Sequence, residues 1–182
     1  MFQERPADAY AGLRYLQTRH EIDPAKIGLI GWSQGGGVAL LAISSKSPIW
    51  RDTPLQHGFN SAIGFYPARC NDAQQSKPFT QVEPNTWSPI SPLLILQGGK
   101  DDLTRAPSCQ RFADAAAKRG NPVKIKVYPD AVHAFDAPNL KLQRRERRNM
   151  GGSGNYWIGT DYAARKDALK LVVERLRRDL LD

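Results

Sequence analysis

Hydrophobic and polar positions along the chain alternate between helical and strand periods. From Pro6 to about Arg19, Ala9, Leu13 and Leu16 recur at helical spacing, and Pro6 suits a first helical turn, so a surface helix is predicted there. Asp23-Pro24 breaks the pattern. Ile27 to Trp32 reads as a short buried strand that runs straight into Ser33 and a glycine cluster, and a second helix follows from about Gln34 to Ser45. Ser61 to Phe65 predicts a strand, followed to about Pro92 by a long loop rich in proline, asparagine and glutamine that could wall a pocket. Leu93 to Leu96 is the clearest apolar strand, with a Gly-Gly turn, two aspartates and a helix from about Pro107 to Arg119 behind it. Val123 to Tyr128 alternates apolar residues with lysines, as a half-exposed strand near a sheet edge does. Ala134 to about Asp161 has little periodicity, and Gly151 to Gly154 reads as flexible. Tyr162 to Leu181 is amphipathic, with Ala168, Val172 and Leu176 on one stripe.

The strand-to-strand connections are too long for hairpins, so the order predicts an α/β fold with a mainly parallel sheet flanked by helices. Such sheets bind ligands beyond the carboxyl ends of their strands. At 182 residues a single domain is expected, and no internal repeat is visible. No apolar run approaches the roughly 18 residues of a membrane span. Met1 to Pro6 lead directly into the first helical pattern, so the chain as written carries no export signal and reads as cytoplasmic, or as periplasmic or secreted if a segment precedes it.

Charge changes this picture little. The formal net charge is +8, and the densest basic stretch is Lys141 to Arg148, with Arg144, Arg145, Arg147 and Arg148. That stretch lacks interleaved aromatics, zinc-ligand spacing and a helix-turn-helix pattern, so a solvated basic loop is expected rather than a nucleic-acid site. Cys70 and Cys109 are too few for a disulfide-built scaffold and too far apart for a CxxC motif. Two free thiols and a single disulfide both remain open on spacing alone.

The candidate chemistry sits at three predicted strand ends. Gly31-Trp32-Ser33-Gln34-Gly35 matches G-x-S-x-G between a strand and a helix, a turn so sharp that side chains at the two flanking positions are expected to collide with backbone. Ser33 is then the nucleophile, and the backbone N–H of Gln34, at the helix start, is an oxyanion donor favoured by the helix dipole. Serine needs a base, and the base needs an orienting group. Of three histidines, His20 is expected to cap the first helix and His57 to lie in a surface loop. His133 follows the strand ending at Tyr128 by a short loop and precedes Ala134-Phe135, which suits the base. Asp101, in Gly98-Gly99-Lys100-Asp101-Asp102, is the expected acid, with Asp102 bonding a helix start or a loop; the chain order Ser, Asp, His is that of α/β-hydrolases.

These residues resemble the dienelactone hydrolase family of α/β-hydrolases. The resemblance covers nearly the whole chain: Asp23 to Ile27 with Gly31 to Gly36, Phe65-Tyr66-Pro67, Gly98 to Asp102, and Tyr128 to Phe135. It implies a serine hydrolase cleaving carboxylic esters or lactones with Ser33, Asp101 and His133 as triad, a small-molecule ester substrate, and neither metal nor organic cofactor. The family's dienelactone hydrolases carry cysteine as nucleophile and an arginine soon after the histidine, where this chain has Ser33 and Ala137, so a lactone carboxylate is not expected. Some serine-bearing relatives are exported and have a cysteine pair at positions like Cys70 and Cys109, which favours a disulfide. Acetyl xylan esterases share the Ser-Gln-Gly-Gly elbow, making a polysaccharide deacetylase the nearby alternative. In the family about half the sheet precedes the elbow, whereas one helix precedes Ile27 here. The chain is therefore expected to be the C-terminal part of an α/β-hydrolase domain, missing a second oxyanion donor worth about 100-fold to 1000-fold in rate. The strand from Ile27 to Trp32 would then be an exposed edge open to self-association, and a non-catalytic remnant acting through that edge is the remaining alternative.

Overall fold

Residues too apolar to sit at a surface make the centre of a parallel sheet, and polar-flanked ones make its margins. The structure is a computed structural model and describes residues 5–47, 57–146 and 154–181. Along the chain run α1 (Arg5–Gln17), β1 (Gly28–Trp32), α2 (Gln34–Ala42), β2 (Ser61–Phe65), α3 (Asp72–Gln75), β3 (Leu93–Gly98), α4 (Ala106–Lys118), β4 (Val123–Tyr128), β5 (Gln143–Glu146), β6 (Asn155–Ile158) and α5 (Tyr162–Leu180). Strands β1 to β4 form one four-stranded sheet in sequence order, every pair parallel. The mainly parallel, helix-flanked α/β sheet expected from the sequence is present.

The period-2 alternation of strands sorts the core into two layers. Ala62, Leu93 and Ile95 face α1, α2 and α4, packing with Tyr10, Leu40 and Phe112. Ile63, Phe65, Leu94 and Leu96 face the other way, against Phe135 and the Ala164, Ala168 and Val172 stripe of α5. Both central strands are buried along their whole length, and each fully buried aliphatic side chain contributes about 1.5–3 kcal/mol. Two polar ties fix the layers in register. The Tyr10 hydroxyl donates to the Ala42 carbonyl at 2.8 Å, joining α1 to α2. On α5, the Asp179 carboxylate accepts from Ser61 Oγ at 2.6 Å and pairs with Arg175. Burial pushes that carboxyl up, but the Ser61 hydroxyl and the Arg178 and Arg175 guanidiniums outweigh it and hold the group below the usual carboxylate range.

β4 is an edge strand, as its lysines predict: Lys124 is exposed, and Lys126 pairs with Asp167 of α5 at 2.6 Å. Both partners are nearly half exposed, so the pair adds little to stability. At the opposite margin, among the described residues, β1 pairs only with β2. Cys70 and Cys109 are joined in a disulfide, which closes the question left open by their spacing and ties the segment after β2 to α4.

Three features depart from the sequence expectation. α2 ends at Ala42 rather than near Ser45, because the chain there turns away from the helix to bond the loop before β3: Ser45 N–H donates to Ser88 O, and Ile90 N–H to Ile43 O. The long loop contains α3, opened by Asn71, whose side chain accepts from Gln74 N–H. The segment expected to be irregular holds an antiparallel pair, β5 with β6. Arg147 and Arg148 of the basic stretch, with Gly151, Gly152 and Ser153 of the glycine run, lie outside the described residues. Among the described residues no helix is long and apolar enough to cross a membrane.

Candidate active site

Ser33 stands alone in the joint between β1 and α2, with φ 49° and ψ −112°, a left-handed strain uncommon for a residue with a side chain. Neighbouring backbone holds it there. Ser33 N–H donates to Phe65 O at 2.9 Å, and Ser33 O accepts from Ala68 N–H at 2.8 Å and Gly37 N–H at 3.1 Å. The glycines around it have different reasons. A Cβ on Gly31 would stand 2.3 Å from the Gly35 carbonyl oxygen, and one on Gly36 would stand 2.9 Å from Pro67, so both positions demand glycine. A Cβ on Gly35 would meet nothing within 4 Å. The expected collision at both flanks thus occurs at one of them, and the second tight approach lies one residue further, where α2 packs on the turn after β2.

The Ser33 side chain caps none of the first-turn N–H groups of α2. Its oxygen instead lies 3.0 Å from Nε2 of His133. On the other side of the ring, Nδ1 lies 2.8 Å from Oδ2 of Asp101. A carboxylate only accepts, so Nδ1 carries the proton, and Nε2 is left to accept from the Ser33 hydroxyl. Asp101 and His133 are both buried, at 4% and 6% exposure, which keeps water from competing for these bonds. The structure therefore brings together three residues predicted from three separate strand ends.

Asp101 is over-determined. Its Oδ1 accepts from the N–H groups of Leu103 and Thr104 at 2.9 and 2.8 Å, and its Oδ2 accepts from the Thr104 hydroxyl at 2.7 Å as well as from His133. Asp102 faces elsewhere, accepting from Trp157 N–H of β6 at 3.0 Å, the loop-bonding alternative foreseen for it. His133 is also fenced by aromatic rings, Tyr66 at 4.5 Å between centroids and Tyr156 of β6 at 6.1 Å. Its backbone pairs with Ile158, which anchors β6 beside the site.

The remaining expected positions divide. Gln34 opens α2 directly after Ser33, so its N–H belongs to the helix's first turn, where no intrahelical acceptor exists. His57 lies away from the site, its carbonyl accepting from Gln17 Nε2. His20 does not cap α1: the helix stops at Gln17, and the His20 ring pairs with Glu21 in solvent. Sequence reasoning assigned nothing to Thr104, Asp136 or Tyr156, and named Tyr66 only within a motif. Among the described residues no three His, Cys, Asp or Glu side chains are grouped to hold a metal ion.

Residues 3–180 match the family model of the dienelactone hydrolase family. The chain belongs to the dienelactone hydrolase family. Among curated proteins, human dipeptidyl peptidase 8 is 27% identical to this dienelactone hydrolase family member over 170 residues, covering 79% of this chain and 18% of that protein. The chain thus spans less than a fifth of that relative's length. Among solved structures, an α/β-hydrolase from a Medee basin deep-sea metagenome library superposes with a TM-score of 0.64 at 20% identity, covering 96% of this chain and 64% of that one. Thermogutta terrifontis esterase 2, phosphorylated by paraoxon, gives 0.63 at 21% identity, covering 97% and 64%. At these identities the likeness is one of fold, the α/β-hydrolase fold.

Proposed function

We propose that this dienelactone hydrolase family member is a serine hydrolase that cleaves small-molecule carboxylic esters through an acyl-enzyme on Ser33. The supporting observation is the unbroken relay Ser33 Oγ, His133 Nε2, His133 Nδ1, Asp101 Oδ2, with links of 3.0 and 2.8 Å. In the acylation step Ser33 Oγ attacks the ester carbonyl while His133 Nε2 takes the hydroxyl proton. Asp101 stabilises the resulting imidazolium without taking its proton. The tetrahedral oxyanion lies beside the N–H of Gln34, at the positive end of α2. Its collapse breaks the bond to the leaving oxygen, which receives the proton from His133. Water then attacks the Ser33 ester by the same route, releasing the acid and restoring the serine. Nucleophile, base and acid are all side chains of this chain, so the sequence draws on no metal or organic cofactor.

An ester suits this relay because an alkoxide is a better leaving group than an amine. The dipeptidyl peptidase relatives make a peptide amide the competing substrate, and acetylated xylan makes a deacetylase a second. The test is turnover of p-nitrophenyl acetate, a dipeptide p-nitroanilide and acetylated xylan by the wild type and Ser33→Ala. The expected result is hydrolysis of the aryl ester, with kcat at least about 1000-fold lower in Ser33→Ala. Equal rates in the two proteins overturn the proposal, and a preference for the anilide or the xylan reassigns the substrate.

A further inference from the structure

Beside the relay a second carboxylate makes contacts that the mechanism above does not use. Asp136, three residues past His133 and half-buried, spends its two oxygens on two different strand ends. Its Oδ2 accepts from the Trp32 indole N–H at 2.6 Å, and its Oδ1 from the Tyr66 hydroxyl at 2.6 Å. Trp32 immediately precedes Ser33, and its ring stacks on Phe65 at 5.4 Å with 12° between planes. Tyr66 lies between Phe65 and Ala68, whose backbone holds Ser33, and its ring packs at 4.5 Å on the His133 imidazole. The backbone carbonyl of Asp136 in turn accepts from Arg165 Nε at 2.9 Å, which ties the residue's backbone to α5.

We propose that Asp136 is a positioning residue for the Ser33–His133 pair, its carboxylate clamping the tryptophan that precedes the nucleophile to the tyrosine ring on which the imidazole rests. The inference rests on the proposed roles of Ser33 and His133. The turn carrying Ser33 is strained and the loop carrying His133 approaches from another strand, so their 3.0 Å separation needs a tie between them. A relay misplaced by about 1 Å loses about 100-fold in rate. Asp136, on the His133 loop, reaches across that gap to the residue before Ser33 and to the tyrosine under the imidazole through charge-assisted hydrogen bonds of 2.6 Å. Burial first, and the Asp136 carboxylate second, push the Tyr66 hydroxyl above its ordinary range, so it is a donor at neutral pH. The indole N–H is a donor at every pH.

The chemistry of the clamp supplies its own control. In Asp136→Asn the amide oxygen still accepts from the indole, and the amide N–H₂ donates to the tyrosine oxygen, so both ties survive without the charge. In Asp136→Ala both are lost. Tyr66→Phe removes one tie and leaves the ring on His133. Kinetics with p-nitrophenyl acetate, together with the Trp32 indole N–H resonance in ¹⁵N-labelled protein, read the difference. The expected result is a kcat lower by about 10-fold or more in Asp136→Ala and by about 3-fold to 10-fold in Tyr66→Phe, with KM within about 2-fold in both. Asp136→Asn stays within about 3-fold of wild type. The indole resonance moves further in Asp136→Ala, where its acceptor is gone, than in Asp136→Asn, where a neutral one remains. A wild-type kcat in Tyr66→Phe, an Asn variant as damaged as the Ala variant, or a loss confined to KM overturns the proposal. Should Asp136→Ala fail to fold, Tyr66→Phe and Asp136→Asn decide alone. Turnover unaffected by Ser33→Ala is a separate outcome: it removes the proposed function, on which this inference stands.

Discussion

Asp101 accepts four hydrogen bonds on two oxygens, and one comes from a side chain that can be altered without disturbing the backbone, the Thr104 hydroxyl at 2.7 Å. That bond shares Oδ2 with His133, so it fixes the angle from which the carboxylate meets the imidazole. Thr104→Val keeps the shape and removes the donor. A hydrogen bond to a charged group is worth about 1.5–3 kcal/mol, and a rotated Asp101 loses part of its hold on the imidazolium. We expect kcat for p-nitrophenyl acetate to fall by about 5-fold to 30-fold in Thr104→Val, and by no more than about 2-fold in the control Asp102→Asn, whose carboxylate bonds β6 instead. Steady-state kinetics on the two variants check this, and equal losses would contradict it. Nothing in the sequence marks Thr104 apart from other threonines. Its role exists only because Asp101 turns back on residues two and three positions on, a local geometry that a Gly-Gly-Lys-Asp-Asp string permits but does not specify.

Among the elements, those with a continuous apolar signal were legible: β2 and β3, buried throughout, fall where Ser61–Phe65 and Leu93–Leu96 predict, and β3 runs two residues further through Gln97 and Gly98. The antiparallel pair of β5 and β6 was not legible, because Gln143–Glu146 carries two arginines and a glutamate, and neither strand has a buried residue. Such strands owe their place to pairing with one another and to Tyr156 and Ile158 leaning on His133, contacts made across the chain rather than along it. The pairing of Cys70 with Cys109 was likewise undecided by spacing, and its energetic weight belongs to this scale. A bridge across a separation of 39 residues removes about 4 kcal/mol of chain entropy from the unfolded state. Cys70→Ser/Cys109→Ser, or the wild type in reductant, is expected to lose about 2–4 kcal/mol in urea unfolding with the slope reporting any change in the unfolded state. An unchanged midpoint would show that the α4 tie carries no stability.

Across the whole molecule the two margins of the sheet differ. β4 carries Lys124 and Lys126, charges that discourage a further strand, whereas β1 is Gly-Leu-Ile-Gly-Trp and pairs only with β2 among the described residues. We expect a second copy of this chain to take up that edge, so that gel filtration gives an elution volume that shifts with concentration; a monomer over the whole range would contradict it. The convergence at the site is also a property of the whole. Ser33 follows β1, Asp101 follows β3 and His133 follows β4, and a parallel sheet places all three ends on one rim, which is why their convergence could be expected from order and strand ends before any distance was known. Asp136 escaped that reading, since a carboxylate bonded to a tryptophan 104 positions away leaves no local pattern. The central claim is that the rim works as one relay, and covalent labelling by a fluorophosphonate, located by mass spectrometry of the peptides, tests it most directly. The account predicts a single adduct on Ser33, absent in Ser33→Ala and formed far more slowly in His133→Ala. Labelling of Ser33 that proceeds at the wild-type rate without His133, or no labelling of Ser33 in the folded wild type, would contradict it.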